Sequence, residues 1–322
     1  MINRDVLITK QIWKNTAPIL FFLAGPAFAA PVIEQVNGTV AHASTVTITG
    51  SSFGSKTNAA PLRWDDFEAG AVGQNLTGWS ISSTKIEYRP KYVSVGRENT
   101  PGKQSAHQHF ERNQYNAEIG IANYASKKFY VSGWVKGKTE GTASRNVKLV
   151  SFRGKDFSDP EGRFDQYPDQ AGNGHKYVVD CNGTVKAQDW AVKQLIIADG
   201  EWHRFEAWIN LGTPNGNNGV YTTWKDTLEW GNTLKGTFIT SDCSLYNAYI
   251  QHYFATDTAT DTKADYYWDE LYVDTSLARV ELGNADTWQK STHREIQIAS
   301  AWSPSSISFT TKLSMVKSVE GS

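Results

Sequence analysis

Along most of the chain apolar and polar positions alternate with a period of two. Asp199 to Leu211 (Asp-Gly-Glu-Trp-His-Arg-Phe-Glu-Ala-Trp-Ile-Asn-Leu) and Tyr266 to Asp274 (Tyr-Tyr-Trp-Asp-Glu-Leu-Tyr-Val-Asp) show it, and both are rich in aromatic and β-branched side chains. That is the pattern of strands in a sheet. Between them Gly212 to Gly219 reads Gly-Thr-Pro-Asn-Gly-Asn-Asn-Gly and leads into Val220 to Lys225, which predicts a hairpin. Further strands are predicted at Lys85 to Tyr88, Ala106 to Phe110, Lys128 to Lys136, Asn146 to Arg153, His175 to Asp180 and Tyr246 to Ala255. Turn-rich segments separate them at Gly96 to Gly102, Gly137 to Ser144 and Asp257 to Lys263. With no useful helical periodicity and no internal repeat, the pattern predicts an all-β sandwich. Gly154 to Gly174, in which Asp156, Asp159, Glu161, Asp165 and Asp169 sit among Pro and Gly, is expected to be a long loop bordering a groove.

The two ends of the chain carry weaker strand signals. Ser44 to Lys56 alternates Val46 and Ile48 with Thr45, Thr47 and Thr49 and stops at Gly50 and Gly54. Leu62 to Glu68 begins the main run of strands, and after Asp274 come Ala278 to Ala285, Arg294 to Ile298 and Ala301 to Thr311. Ahead of all of these, Arg4, Lys10 and Lys14 precede the apolar run Ala17 to Ala24, and Ala27-Phe28-Ala29 offers small residues where a signal peptidase cuts. A signal peptide over residues 1 to 29 is expected, hence a secreted or cell-surface protein. The run is too short for an ordinary membrane span.

Charge and composition narrow the partners. Thirty-two Lys plus Arg against 33 Asp plus Glu leave a formal charge of -1, so no footprint for nucleic acid or an anionic membrane exists. Aromatics make up 12% of the chain. Such rings pack sandwich cores and also stack on the apolar faces of sugars. The only cysteines are Cys181 and Cys243. Outside the cytoplasm such a pair invites a disulfide; two separate buried thiols are the other reading.

Two resemblances follow from these strings. The Gly-Glu-Trp-His strand, the Asn-Gly-rich turn, the Val-x-x-x-Trp strand and the late Trp-Asp-Glu-Leu-Tyr-Val strand resemble the concanavalin A-like β-jelly rolls of glucanases, polysaccharide lyases and lectin-type modules, over about residues 61 to 277. Pro-Val-Ile followed by Thr-Val-Thr-Ile-Thr-Gly-x-x-Phe-Gly resembles the opening half of an immunoglobulin-like IPT/TIG module. Val-Glu-Leu-Gly-Asn-Ala, a short strand and Trp-Ser-Pro-Ser-Ser-Ile-Ser-Phe resemble its back half. The expectation is a discontinuous small β-sandwich of residues 31 to 60 and 278 to 322 with the jelly roll inserted at a surface turn, where insertion is tolerated. An incomplete N-terminal strand pair with a separate C-terminal hairpin is the alternative.

The resemblance also implies chemistry. A structural Ca2+ in such folds is often held by an acidic residue near the first strand and an Asp near the last, which singles out Asp66 or Glu68 with Asp269; hard carboxylate oxygens suit that ion. The Glu-x-Asp-x-x-Glu string of jelly-roll glucanases is absent, so a hydrolase of that kind is not expected. A lyase neutralises a uronate carboxylate and moves a proton with Tyr or His. Residues of those types lie on the predicted central strands: His175 and Tyr253 as catalytic candidates, with Arg153, Tyr177, Tyr249 and Gln251 as substrate contacts. The Arg-x-Glu-x-Arg and Tyr-Phe-Lys-Ala-Gly-x-Tyr strands of jelly-roll alginate lyases are missing. His107 and His109 share a strand face and could bind zinc, but no third ligand stands at a recognisable spacing. Binding of a polysaccharide in the jelly-roll groove is therefore the first expectation, β-elimination on a uronate polymer the second, and a surface adhesion or scaffold role the third.

Overall fold

The computed structural model describes residues 6–9, 30–80, 88–98, 102–111, 119–140, 145–155, 161–166, 175–181, 184–191, 197–226, 228–229, 233–256, 263–287, 290–291 and 294–313. For residues 6–9, 111, 145–147, 161–166, 175–177, 180–181, 184–191, 228–229 and 251–256 the description is of the backbone. None of the described residues is in an α-helix, and no helix is long and apolar enough to cross a membrane. The protein is all-β.

In chain order the strands are β1 (Val6–Thr9), β2 (Val32–Asn37), β3 (Thr45–Ser51), β4 (Arg63–Asp65), β5 (Lys91–Val93), β6 (Ser105–Glu111), β7 (Ile119–Ile121) and β8 (Lys128–Glu140). There follow β9 (Arg145–Arg153), β10 (Glu161–Gln166), β11 (His175–Cys181), β12 (Thr184–Ala191), β13 (Asp199–Asn210), β14 (Gly219–Lys225), β15 (Leu228–Glu229) and β16 (Leu234–Gly236). The last are β17 (Asn247–Thr256), β18 (Lys263–Asp274), β19 (Val280–Gly283), β20 (Arg294–Gln297), β21 (Ala299–Trp302) and β22 (Ser306–Thr310).

Two compact units divide the chain: residues 1–61 with 276–322, and Leu62–Thr275. In the first, β2-β3-β22-β21 form a four-stranded sheet and β1-β19-β20 a three-stranded one, in which β1 runs parallel to β19. Its core gathers Val46, Ile48, Phe53, Val280, Leu282, Ile307 and Phe309. Alternation places them there: Val46 pairs with Phe309 and Ile48 with Ile307, while the intervening Thr47 pairs with Ser308 on the other side.

The second unit is a jelly-roll-like sandwich of two antiparallel sheets. One has six strands in the order β12-β11-β10-β9-β17-β7; the other has nine, with β15-β14-β13-β8-β18-β6-β5 in line, β16 on β14 and β4 on β18. Phe129 of β8 stacks on Phe152 of β9 with centroids 5.8 Å apart, and Tyr221 meets Phe152 edge-on at 6.0 Å, so aromatic rings join the sheets. The fully buried Trp268 packs edge-on against Phe205.

Two glycines of β8 make room for this core. A Cβ at Gly133 would lie 2.5 Å from Leu271 Cδ2, and one at Gly137 2.7 Å from Tyr266 Cε1. Leu271 reaches Gly133 because β18 bulges between Asp269 and Tyr272, with Glu270 in the left-handed region at φ 49°. The bulge keeps Trp268, Leu271 and Val273 on the core side and sends Asp269 and Tyr272 to the other.

One expectation is corrected. Gly154 to Gly174 is not a continuous loop, since Glu161–Gln166 is a strand paired on both sides, with β9 and β11. Two flanking strands supply its backbone hydrogen bonds, and that context overrides a composition poor in strand formers. Likewise β8 runs through the predicted turn at Gly137 as far as Glu140.

Candidate functional site

Strand β17 crosses the six-stranded sheet beside β9, and the register defines cross-strand rows. Tyr253, Lys148, Asp165, Lys176 and Trp190 form one row; Tyr249, Ser151, Arg163 and Val178 form another; Asn247, Arg153 and Glu161 a third. The row between the last two, Ala248 with Phe152 and Gly162, contributes Ala248 and Phe152 to the core, so those two rows belong to the opposite side of the pleat, while the first lies beyond a register shift. His175 pairs with Gln166 and Tyr177 with Phe164. The side chains of His175, Tyr177, Gln251 and Tyr253 lie outside the described residues.

Two of the expected contacts are described in full. Arg153 is half-buried, and its Nε donates to Ser151 Oγ at 3.1 Å, which aims the guanidinium along the strand. Tyr249 is buried at 4% exposure, its ring over the backbone of Gly120, where a Cβ would come within 2.4 Å of Tyr249 Cδ1. The pairing of Tyr249 with Gly120 on β7 thus needs a glycine. At the N-terminal end of β17, Asn247 Nδ2 donates to Gly154 O at 2.6 Å and Asn247 Oδ1 accepts from Asn123 N at 3.1 Å, fixing where the strand starts.

The nine-stranded sheet carries a second constellation that the sequence pattern only half disclosed. Alternation puts His107 and His109 on one side of β6, and β18 pairs beside it so that Asp265 faces His109 and Tyr267 faces His107. Ring nitrogens of both histidines donate to the same carboxylate oxygen: His107 Nε2 lies 2.7 Å and His109 Nδ1 2.8 Å from Asp265 Oδ1. Tyr267 stacks on His107 at 4.7 Å with 14° between the planes. These three polar side chains remain 24% to 35% exposed. Burial pushes the Asp265 carboxyl up, but the two histidine hydrogen bonds outweigh it and hold the group below the usual carboxylate range. Burial and the neighbouring Asp265 charge raise the Tyr267 phenol. Lys138, across from Asp265 on β8, is tied to Glu140 at 3.0 Å.

Further along the same sheet one histidine sits between two acids. His203 Nδ1 is 3.0 Å from Asp226 Oδ2 and Nε2 is 2.9 Å from Asp199 Oδ2. Burial lowers its affinity for a proton, yet the bonds to Asp226 and Asp199 prevail and raise it. Asp226 also accepts from Arg204 N at 3.0 Å and so closes the turn after β14.

The three carboxylates expected to hold calcium go to separate partners. Asp66 Oδ1 accepts from Glu68 N at 3.3 Å, and Glu68 Oε1 accepts from the amides of Lys103 and Gln104 at 2.8 and 2.9 Å. Asp269, 4% exposed at its side chain, receives Arg97 Nε at 2.9 Å, while Arg97 Nη2 reaches Glu270 at 3.0 Å and its guanidinium lies over Trp134 at 4.7 Å. Strands β4 and β18 are neighbours, but a guanidinium neutralises Asp269, and Asp66, Glu68 and Asp269 do not converge. With Asp269 committed to Arg97, the residues present do not fit a Ca2+ held by it together with Asp66 or Glu68. Among the described residues the one converging set of three metal-type ligands is His107, His109 and Asp265.

No family model matches the chain. No curated protein matches it. Among solved structures it is similar to an endo-β-1,4-glucuronan lyase from the fungus Trichoderma reesei, at 13% identity over 68% of this chain and 97% of that one, with a TM-score of 0.48. It is similar in the same degree to alginate lyase Aly36B, at 13% identity over 68% of this chain and 98% of that one, TM-score 0.48. The cellulose-induced protein Cip1 matches at 14% identity over 69% of this chain and 99% of that one, TM-score 0.46. Likeness of this degree does not reach to activity.

Proposed function

We propose that this is an exported carbohydrate-active protein that binds a polysaccharide along the side of the six-stranded sheet turned away from the core. In this reading the sandwich is a concanavalin A-like jelly roll set between the halves of an IPT-like module. The observation that carries it is the residue content of the cross-strand rows, where Lys148, Arg153, Arg163 and Lys176 stand with Tyr253 and Trp190, the cations outnumbering Asp165 and Glu161. Cations and amides suit sugar carboxylates and hydroxyls, and aromatic rings suit the apolar faces of pyranoses. A polymer laid across the strands would meet a new side chain about every 4.8 Å. Export is supported by the leader-like residues 1 to 29 and by Cys243, which is disulfide-bonded and so belongs to an oxidising compartment.

The second reading, β-elimination on a uronate polymer, is favoured by the pairing of β17 with β9, which brings Arg153, a cation to neutralise the carboxylate, and Tyr253, a phenol of the kind that moves the proton, onto neighbouring strands. One experiment separates these readings. The full chain is run by affinity electrophoresis against neutral and uronate polysaccharides, with ultraviolet absorbance followed in parallel. Retention by an acidic polymer, weakened about tenfold or more by Arg153→Ala, is the expected result. A rise in absorbance lost on substituting Tyr253 or His175 moves the protein to the lyases. Mobility unchanged by every polymer, or retention untouched by Arg153→Ala and Tyr253→Ala, overturns the proposal.

A further inference from the structure

The histidine pair on β6 has no part in the polysaccharide reading, and its geometry has a use of its own. We propose that His107, His109 and Asp265 form a binding site for a first-row divalent transition metal of the zinc type.

The argument begins with proximity. Two imidazole nitrogens lie 2.7 and 2.8 Å from one carboxylate oxygen, so three potential ligand atoms from two strands stand within 4.8 Å of one another. Strand pairing enforces this: a two-residue spacing places both rings on one side of β6, and the register sets Asp265 directly across from His109. Ligand orientation is also prepared, because Tyr267 stacks flat on His107 and restricts its ring. The donor set of two nitrogens and one oxygen selects zinc, cobalt or nickel over calcium, which takes oxygen alone. Entry from solvent is open, since the three side chains are roughly a quarter to a third exposed.

The fit requires a small adjustment. Metal arms of about 2.0 to 2.1 Å set donors about 3.3 Å apart on a tetrahedron, so the carboxylate and the rings must separate by about half an ångström from their hydrogen-bonded spacing. Each ring nitrogen that now donates to Asp265 would give its lone pair to the metal, the ring proton moving to the other nitrogen, so no net proton is released. Three protein ligands leave one position for water or for an oxygen of a bound molecule. The ion would also clasp β6 to β18, strands whose bonded residues are 156 and 158 positions apart.

The test uses the untagged full chain, stripped of metal, with Zn2+ or Co2+ as the only additions. The expected result is one equivalent bound, visible as cobalt absorption, with excess Ca2+ failing to displace it. His109→Gln and Asp265→Asn should each weaken binding by at least about 100-fold, beyond what loss of a merely orienting partner costs, while His203→Gln leaves it unchanged. Because a variant can fail by misfolding, the unmutated chain is also footprinted with diethyl pyrocarbonate: zinc should protect His107 and His109 and leave His203 as reactive as before. No bound equivalent, binding indifferent to both substitutions, or protection at other histidines overturns the proposal.

Discussion

Two clusters on the nine-stranded sheet use histidine and aspartate in inverted proportion. Around His203 one imidazole is held by two carboxylates, so both ring nitrogens face acceptors and the arrangement is complete only when both carry protons. Around Asp265 two imidazoles share one carboxylate oxygen, and neutral rings satisfy it with one N–H each. The first cluster stores a proton. The second gathers three potential metal ligands, the set proposed above to take a divalent ion once the ring protons shift. The ratio of ring to carboxylate, more than the residue types, decides what each cluster can hold.

The largest expected difference between them is in zinc affinity, about 100-fold or more on Asp265→Asn and none on Asp226→Asn, read by calorimetric titration. Equal losses would erase the distinction. Next is Tyr267→Leu, which removes the ring stacked on His107 without touching a donor atom. Zinc binding should weaken about tenfold, the cost of losing an orienting group, with the unfolding temperature of the metal-free chain little changed.

The smallest effect concerns pH. The raised proton affinity of His203 means that its ion pairs stabilise the fold fully below about pH 6.5, the ordinary histidine value, and that this is lost as pH rises through the higher folded value. At the acid end, burial raises the Asp199 carboxyl, but its hydrogen bonds from Glu201 and His203 lower it on balance, so its contribution fades only as pH falls through that depressed value. The unfolding temperature gap between the native chain and His203→Gln should therefore peak in mildly acid buffer and close on both sides. Solvent screening of the partly exposed acids keeps the effect near 1 kcal/mol or less. A gap that widens toward alkaline pH would contradict the assignment.

Much of the sandwich could be read from the sequence because alternation with period two is local. β13, β14, β17 and β18 declare themselves by Trp, Tyr and β-branched residues on every second position. β10 does not, since Glu-Gly-Arg-Phe-Asp-Gln becomes a strand only by lying between β9 and β11. The same limit applies to the site. That His107 and His109 share a side was visible; that Asp265 stands beside them depends on the pairing of β6 with β18, which no local pattern carries. The calcium expectation put β4 near β18 correctly but missed Arg97, a cation delivered by the segment after β5 to Asp269. Nothing in the local pattern marks His203, because its acids sit at the strand's far edge and beyond the next turn.

The most direct test of the contrast is to record the histidine ring resonances of the unmutated chain by NMR at neutral pH as Zn2+ is added. The account predicts that the rings of His107 and His109 shift together and saturate at one equivalent, while His203, its two nitrogens already engaged by Asp199 and Asp226, stays where it was. Movement of His203 with the first equivalent, or no movement of the pair on β6, would contradict it.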